Sequence, residues 1–252
     1  MKKALYLLLS LYIFIGCSND SSTNDEDIKR ANRQTTGASA NDFLSDDNFN
    51  SLTIELIYVT GYRPNQSSID NLESFIQERT YKPGGINFVE RAIASPANSP
   101  YTIQEIADLE NDYREEYNMG DNLTLSIMFI DGKSDQDEGN SVVLGTAYRN
   151  TSMVIYQNTL EQNSNGVGEP DRVMLESTVL RHELSHLFGL VDLGTPMLQD
   201  HKDEANGHHC DVQDCLMNYQ VEAGSVFDMA SGGTIPSLDP LCLADLKANG
   251  GK

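Results

Sequence analysis

The chain has 252 residues, with 38 Asp and Glu against 17 Lys and Arg, a formal net charge of −21. That balance excludes a nucleic-acid binder, which needs a basic footprint, and argues against electrostatic docking on anionic lipid. The length and an apolar share of 39% suit one sizeable domain with an ordinary core rather than a disordered chain.

Met1-Lys2-Lys3 is a basic start, and Ala4 to Gly16 is an apolar run. A membrane-spanning helix needs about 20 apolar residues, so residues 1–16 read instead as a secretory signal peptide. The run ends in Phe14-Ile15-Gly16-Cys17, and polar sequence follows at once. This resembles the lipobox of bacterial lipoproteins. The resemblance implies a lipidated Cys17 as first mature residue. Membrane attachment would be through lipid alone, in the cell envelope, at the outer membrane or surface of a Gram-negative bacterium. Residues 17–50 are poor in large apolar side chains and are expected to form a disordered acidic tether.

Residues 51–252 are expected to be the folded domain. Ser51 to Thr60 alternates and is β-branched, a strand. Ser68 to Thr80 has helical spacing, with Ser67 or Ser68 as cap. Ile86 to Ile93 is a second strand. Thr102, with Glu105 three residues on, opens a helix by a capping box. Leu123 to Ile130 is a nearly continuous apolar run, as in a buried central strand. Val142 to Tyr156 reads as strand, turn, strand. Arg172 to Leu190 is a long helix, and a loop-rich stretch leads to a last helix near Asp239 to Ala248. Strands alternate with helices first, which predicts an α/β (α+β) fold. An N-terminal subdomain would span 51–190, and a loop-rich C-terminal subdomain 191–252. Asp131, Asp135 and Asp137 invite a calcium reading, but the loop lacks the glycine and distal glutamate of such loops and reads as solvated.

All five histidines lie between residues 182 and 209. His182-Glu183-Leu184-Ser185-His186 places two imidazoles one helical turn apart, within reach of one cation. Neutral imidazole is a good zinc ligand. Glu183 points toward the open coordination position and can take a proton from a water there. Gly189 follows three residues after His186, where a helix that must redirect its chain commonly stops.

His-Glu-x-x-His-x-x-Gly resembles the metzincin zinc endopeptidases, whose chain turns at that glycine to deliver a third ligand. Cys215-Leu216-Met217-Asn218-Tyr219 is similar to their methionine-containing turn. The resemblance implies Met217 as an apolar floor and Tyr219 as a donor to the oxyanion. His209-Cys210-x₄-Cys215-Leu216-Met217, with Gly145-Thr146-Ala147 and Met153 to Tyr156 as a cleft-edge strand, resembles the archaemetzincins more closely. The likeness covers about residues 140 to 246 and implies a metzincin-like mixed twisted sheet with an active-site helix. Two departures stand out. The chain inserts residues between Gly189 and His209, and Asp239-Pro240-Leu241-Cys242 replaces the final cysteine pair of that family. The replacement argues against the second, structural zinc of archaemetzincins, although three cysteines with Asp239 or a histidine would be an alternative donor set. Otherwise Cys210 pairs with Cys215 and Cys242 stays free.

The third zinc ligand is expected to be His209, with Asp192 and His201 as alternatives; Asp203 is a candidate partner behind His201. The expected function is a zinc-dependent metalloendopeptidase with one catalytic zinc and a peptide or protein substrate. No nucleic-acid partner is expected, and the chain is expected to be monomeric. A non-catalytic zinc-binding lipoprotein and a metal-scavenging lipoprotein are the alternatives.

Overall fold

The structure is a computed structural model, and it describes residues 21–139, 141–221 and 234–252. The signal peptide and Cys17 lie outside the described residues.

Five strands form one mixed sheet: β1 (Ser51–Val59), β2 (Gly85–Ile93), β3 (Asn122–Phe129), β4 (Gly145–Arg149) and β5 (Ser152–Ile155), in the order β2-β1-β3-β5-β4. All neighbours are parallel except β4, which runs antiparallel to β5 at one edge. The two parallel crossovers around β1 carry α3 (Gln66–Arg79) and α4 (Ile103–Tyr113). The capping box of α4 forms as expected from Thr102 and Glu105. The cap of α3 is instead Asn65, whose side chain accepts from Ser67 N at 3.0 Å.

Helices cover both faces of the sheet. Leu52, Ile54 and Leu56 pack in one core with Leu72 of α3 and with α6 (Arg172–Leu187). Ile57, Val59, Met128 and Ile130 pack in the other with Ile106 of α4. β1 is therefore buried on both sides despite its alternating sequence. Its buried Glu55 is satisfied by the main-chain N–H groups of Glu115 and Glu116, at 3.1 and 3.3 Å.

The expectation of a tether to residue 50 is corrected. A helix α1 spans Ser21–Ala31, a short α2 spans Ala40–Leu44, and Phe43 and Leu44 are fully buried. Phe43 meets Phe188 with ring centroids 5.9 Å apart. Two well-placed apolar side chains anchor a segment whose average composition is polar. Lys82 completes the anchor: its ammonium donates to the carbonyls of Asp42 and Phe49, each at 2.7 Å, and of Ser45. Lys82→Met is expected to cost about 1.5–3 kcal/mol, the range for hydrogen bonds to a charged group. The check is a lower urea midpoint at unchanged slope.

A short α5 (Gln157–Gln162), not expected from the sequence, leads to α6, and α7 (Pro240–Ala248) closes the chain. No helix among the described residues is long and apolar enough to cross a membrane.

Candidate metal centre

Helix α6 carries the chemistry. Asp171 caps it, accepting from Met174 N at 3.1 Å. Its second half is buried on every side, so His182, Glu183 and His186 are all removed from bulk water. The helix can lie against β4 only because residue 145 is glycine. A Cβ there would sit 2.8 Å from Glu183 Cγ and 2.9 Å from Val179 Cγ1. The helix ends as the sequence predicts. Gly189, at φ +74°, allows Gly189 N to bond His186 O at 3.0 Å and Leu190 N to bond Ser185 O at 3.2 Å. That paired closure is a Schellman motif.

The chain then wanders through residues 190–208 and returns His209 to the helix. Ligand atoms of His182, His186 and His209 lie within 4.8 Å of one another, and all three side chains are buried. Their protons are arranged by the backbone. His182 Nδ1 lies 2.7 Å from Leu216 O, and His209 Nδ1 lies 2.7 Å from Asn206 O. A ring nitrogen facing a carbonyl must donate, which in the neutral ring makes Nε2 the nitrogen that can bind a metal. His186 Nε2 approaches His182 Nε2 to 3.1 Å. Burial, then the neighbouring His182 and His209, hold His186 well below the usual imidazole range. Three buried imidazoles converging in this way fit a divalent cation.

The turn around Met217 supports this arrangement through its main chain. Leu216 supplies the carbonyl that orients His182, and Met217 O accepts from Cys210 N at 2.7 Å, next to His209. Met217 itself is fully buried. Tyr219, one-third exposed, lies edge-on to His209 with centroids 6.3 Å apart.

The triad opens into a cleft of about 410 Å³ lined by Thr36, Ala147, Glu183, His186 and Leu193, among others. Glu183 Oε2 accepts from Ala147 N at 2.8 Å. A larger cavity of about 550 Å³ near Lys29 and Tyr117 has no such convergence; its Arg114 and Glu115 are engaged with Glu110 and Arg91. The cleft-edge strand is β4 alone, since Ser152–Ile155 is an inner strand.

The alternatives for the third ligand fall elsewhere. Asp192 is exposed and pairs with Lys202 at 3.0 Å. His201 joins a second buried cluster with Cys210, Asp239 and Cys242, whose ligand atoms also lie within 4.8 Å of one another. The expected Cys210–Cys215 disulfide is absent, and all three described cysteines are free thiols. Cys210 donates to Asp239 Oδ2 at 2.9 Å and meets His201 Nδ1 at 3.3 Å. Cys215 Sγ lies 3.7 Å from Cys242 Sγ. The hydrogen bonding between Cys210 and Cys215 holds Cys215 down to about 5 and pushes Cys210 up to about 12. The partner behind His201 is Asp245, at 2.8 Å from Nε2, and not Asp203, which accepts from Ala205 and Asn206. Asp245 sits on the buried face of α7, and the one acid of a helix whose only other charge is Lys247 was the available signal.

Among solved structures, the fold is similar to archaemetzincin from Methanopyrus kandleri. The TM-score is 0.52 at 18% identity, covering 79% of this chain and 96% of that one. Metalloproteinase-II from Bacteroides fragilis matches with a TM-score of 0.40 at 14% identity, covering 82% of this chain and 55% of that one. No family model matches the sequence, and no curated protein does. The architecture is thus a mixed α/β fold similar to that of archaemetzincin, as the sequence implied.

Proposed function

We propose that the protein is a zinc-dependent metallopeptidase, with His182, His186 and His209 as zinc ligands and Glu183 as general base. The observation that carries this reading is the convergence of three buried imidazoles, two of which line one cleft with the Glu183 carboxylate. When bound, zinc supplies Lewis acidity that polarises a carbonyl and acidifies water. Glu183 takes the proton of the attacking water and returns it to the leaving amine. The N–H of Ala147 restrains that carboxylate from the side. Tyr219 donates to the oxyanion, and Met217 floors the ligands. The substrate chain lies along the outer edge of β4, where backbone pairing accepts varied sequences. Such pairing suits a substrate chain that continues past the scissile bond on its C-terminal side. Export with a lipidated Cys17 is part of the same proposal, resting on the sequence up to that residue.

The thiol cluster is assigned a second, structural zinc. Cys210, Cys242, His201 and Asp239 are four buried donors, the number a closed tetrahedral site takes. Asp245 would fix the His201 ring, as partners behind metal-bound histidines do. The departure from the family's cysteine pair is thus answered by a histidine and a carboxylate.

One preparation tests both statements. Zinc-loaded full-length chain is expected to hydrolyse an unstructured peptide, lose that activity to a chelator and regain it with zinc. Metal analysis is expected to give about two ions per chain, falling to about one in Cys242→Ser. No turnover from a fully loaded chain would leave the non-catalytic binding lipoprotein. One ion in the parent chain refutes the second centre.

A further inference from the structure

The outer edge of β4 does not run free along its whole length. Alternate residues of an antiparallel strand turn their N–H and C=O outward. At Ala147 both groups point away from β5: the N–H reaches Glu183, and the carbonyl accepts from Thr36 Oγ1 at 3.2 Å. Beyond Ala147 the pairing with β5 shifts register, and the chain turns at Asn150. There Asn150 N donates to Gln34 O at 3.0 Å, while Gln34 N donates to Asn150 Oδ1 at 2.9 Å. The buried Asn150 amide also donates to Ala31 O and Ser39 Oγ, at 2.8 and 3.0 Å.

The same segment is clamped from the opposite side of the cleft. Gly37 adopts φ +80°, and a Cβ on it would lie 1.4 Å from Leu193 O. A Cβ on Gly194 would in turn lie 2.6 Å from Gly37 O. Thr36 and Leu193 both line the cleft. Residues 34–37 therefore bridge the end of β4 to the turn after α6.

We propose that the segment Gln34–Gly37 is the end wall of the substrate cleft and limits how many residues a substrate can place before the scissile bond. The proposal rests on the peptidase reading. Antiparallel pairing is the more stable geometry for an added strand. A substrate antiparallel to β4 brings its N-terminal part toward Arg149 and its C-terminal part toward Gly145. Glu183 packs against Gly145 and Ala147, so the reacting bond lies near this point. The hydroxyl of Thr36 already holds the carbonyl that the next substrate residue would need. Room on the N-terminal side amounts to about two residues at the rise of an extended strand. A chain leaving past Gly145 meets no such cross-piece among the described residues.

The test uses zinc-loaded full-length protein and two quenched-fluorescence peptide series around one cleavable sequence. One series grows at its N-terminus, the other at its C-terminus. Binding of the same peptides is measured by anisotropy alongside cleavage. We expect kcat/KM to fall at least tenfold once more than about two residues precede the cut, and C-terminal growth to be tolerated. Thr36→Ala should recover N-terminally extended peptides by fivefold or more, and Thr36→Val, which removes only the donor, should recover them in part. The recovery is read as the ratio of extended to shortest peptide within each variant. Equal tolerance at both ends, or an unaltered length profile in Thr36→Ala, overturns the wall. Absence of cleavage with the length asymmetry preserved in binding rejects the peptidase reading and supports the wall. No binding of either series overturns both.

Discussion

Glu183→Gln is expected to lower kcat by about 10²–10⁴-fold, the usual contribution of a general acid–base group, while zinc content and thermal midpoint stay unchanged. The amide preserves the volume of a side chain that is 1% exposed and can still accept from Ala147 N–H. It cannot take a proton. A purely structural role would show instead as a lower melting temperature with activity retained per folded molecule. Turnover near that of the parent chain would remove Glu183 as the base and shift attention to another group in the cleft.

His209→Ala is expected to empty the catalytic site. Removing a partner that only orients a metal-bound histidine weakens metal binding by roughly 10–100-fold; removal of one of three ligands should exceed this. Zinc affinity by competition with a chromophoric chelator is the direct measurement. Two controls make the result specific. Asp192→Ala touches an exposed carboxylate paired with Lys202 and should leave affinity within about twofold, as surface pairs contribute little. His201→Ala should spare the catalytic ion and lose the second one. Should Asp192→Ala empty the site while His209→Ala does not, the assignment of the third ligand is wrong.

Much of this arrangement was legible in the sequence because it is local. His182, Glu183 and His186 fall within about one turn of a single helix, so helical periodicity alone sets them together. The stop at Gly189 follows from one residue's backbone freedom. The return of His209 was harder, since the intervening loop has no period, and only the likeness around Cys210 to Met217 favoured it over Asp192 and His201. Contacts between distant parts of the chain were not legible. Asp245 reaches His201 across 44 positions, and Thr36 reaches Ala147 across 111. Composition also misled over the described part of the tether, residues 21–50, because an average hides the two side chains, Phe43 and Leu44, that dock the segment.

His209 and Cys210 are consecutive, yet they face different clusters. A single peptide plane therefore ties the two centres, with Cys210 N held by Met217 O beneath it. Filling one centre fixes the torsions on which the other depends, so loading should be cooperative, with the first ion prepaying the ordering entropy of the second. Each ion should therefore bind more tightly when the other is present, and a variant that loses one centre should keep the other at reduced affinity.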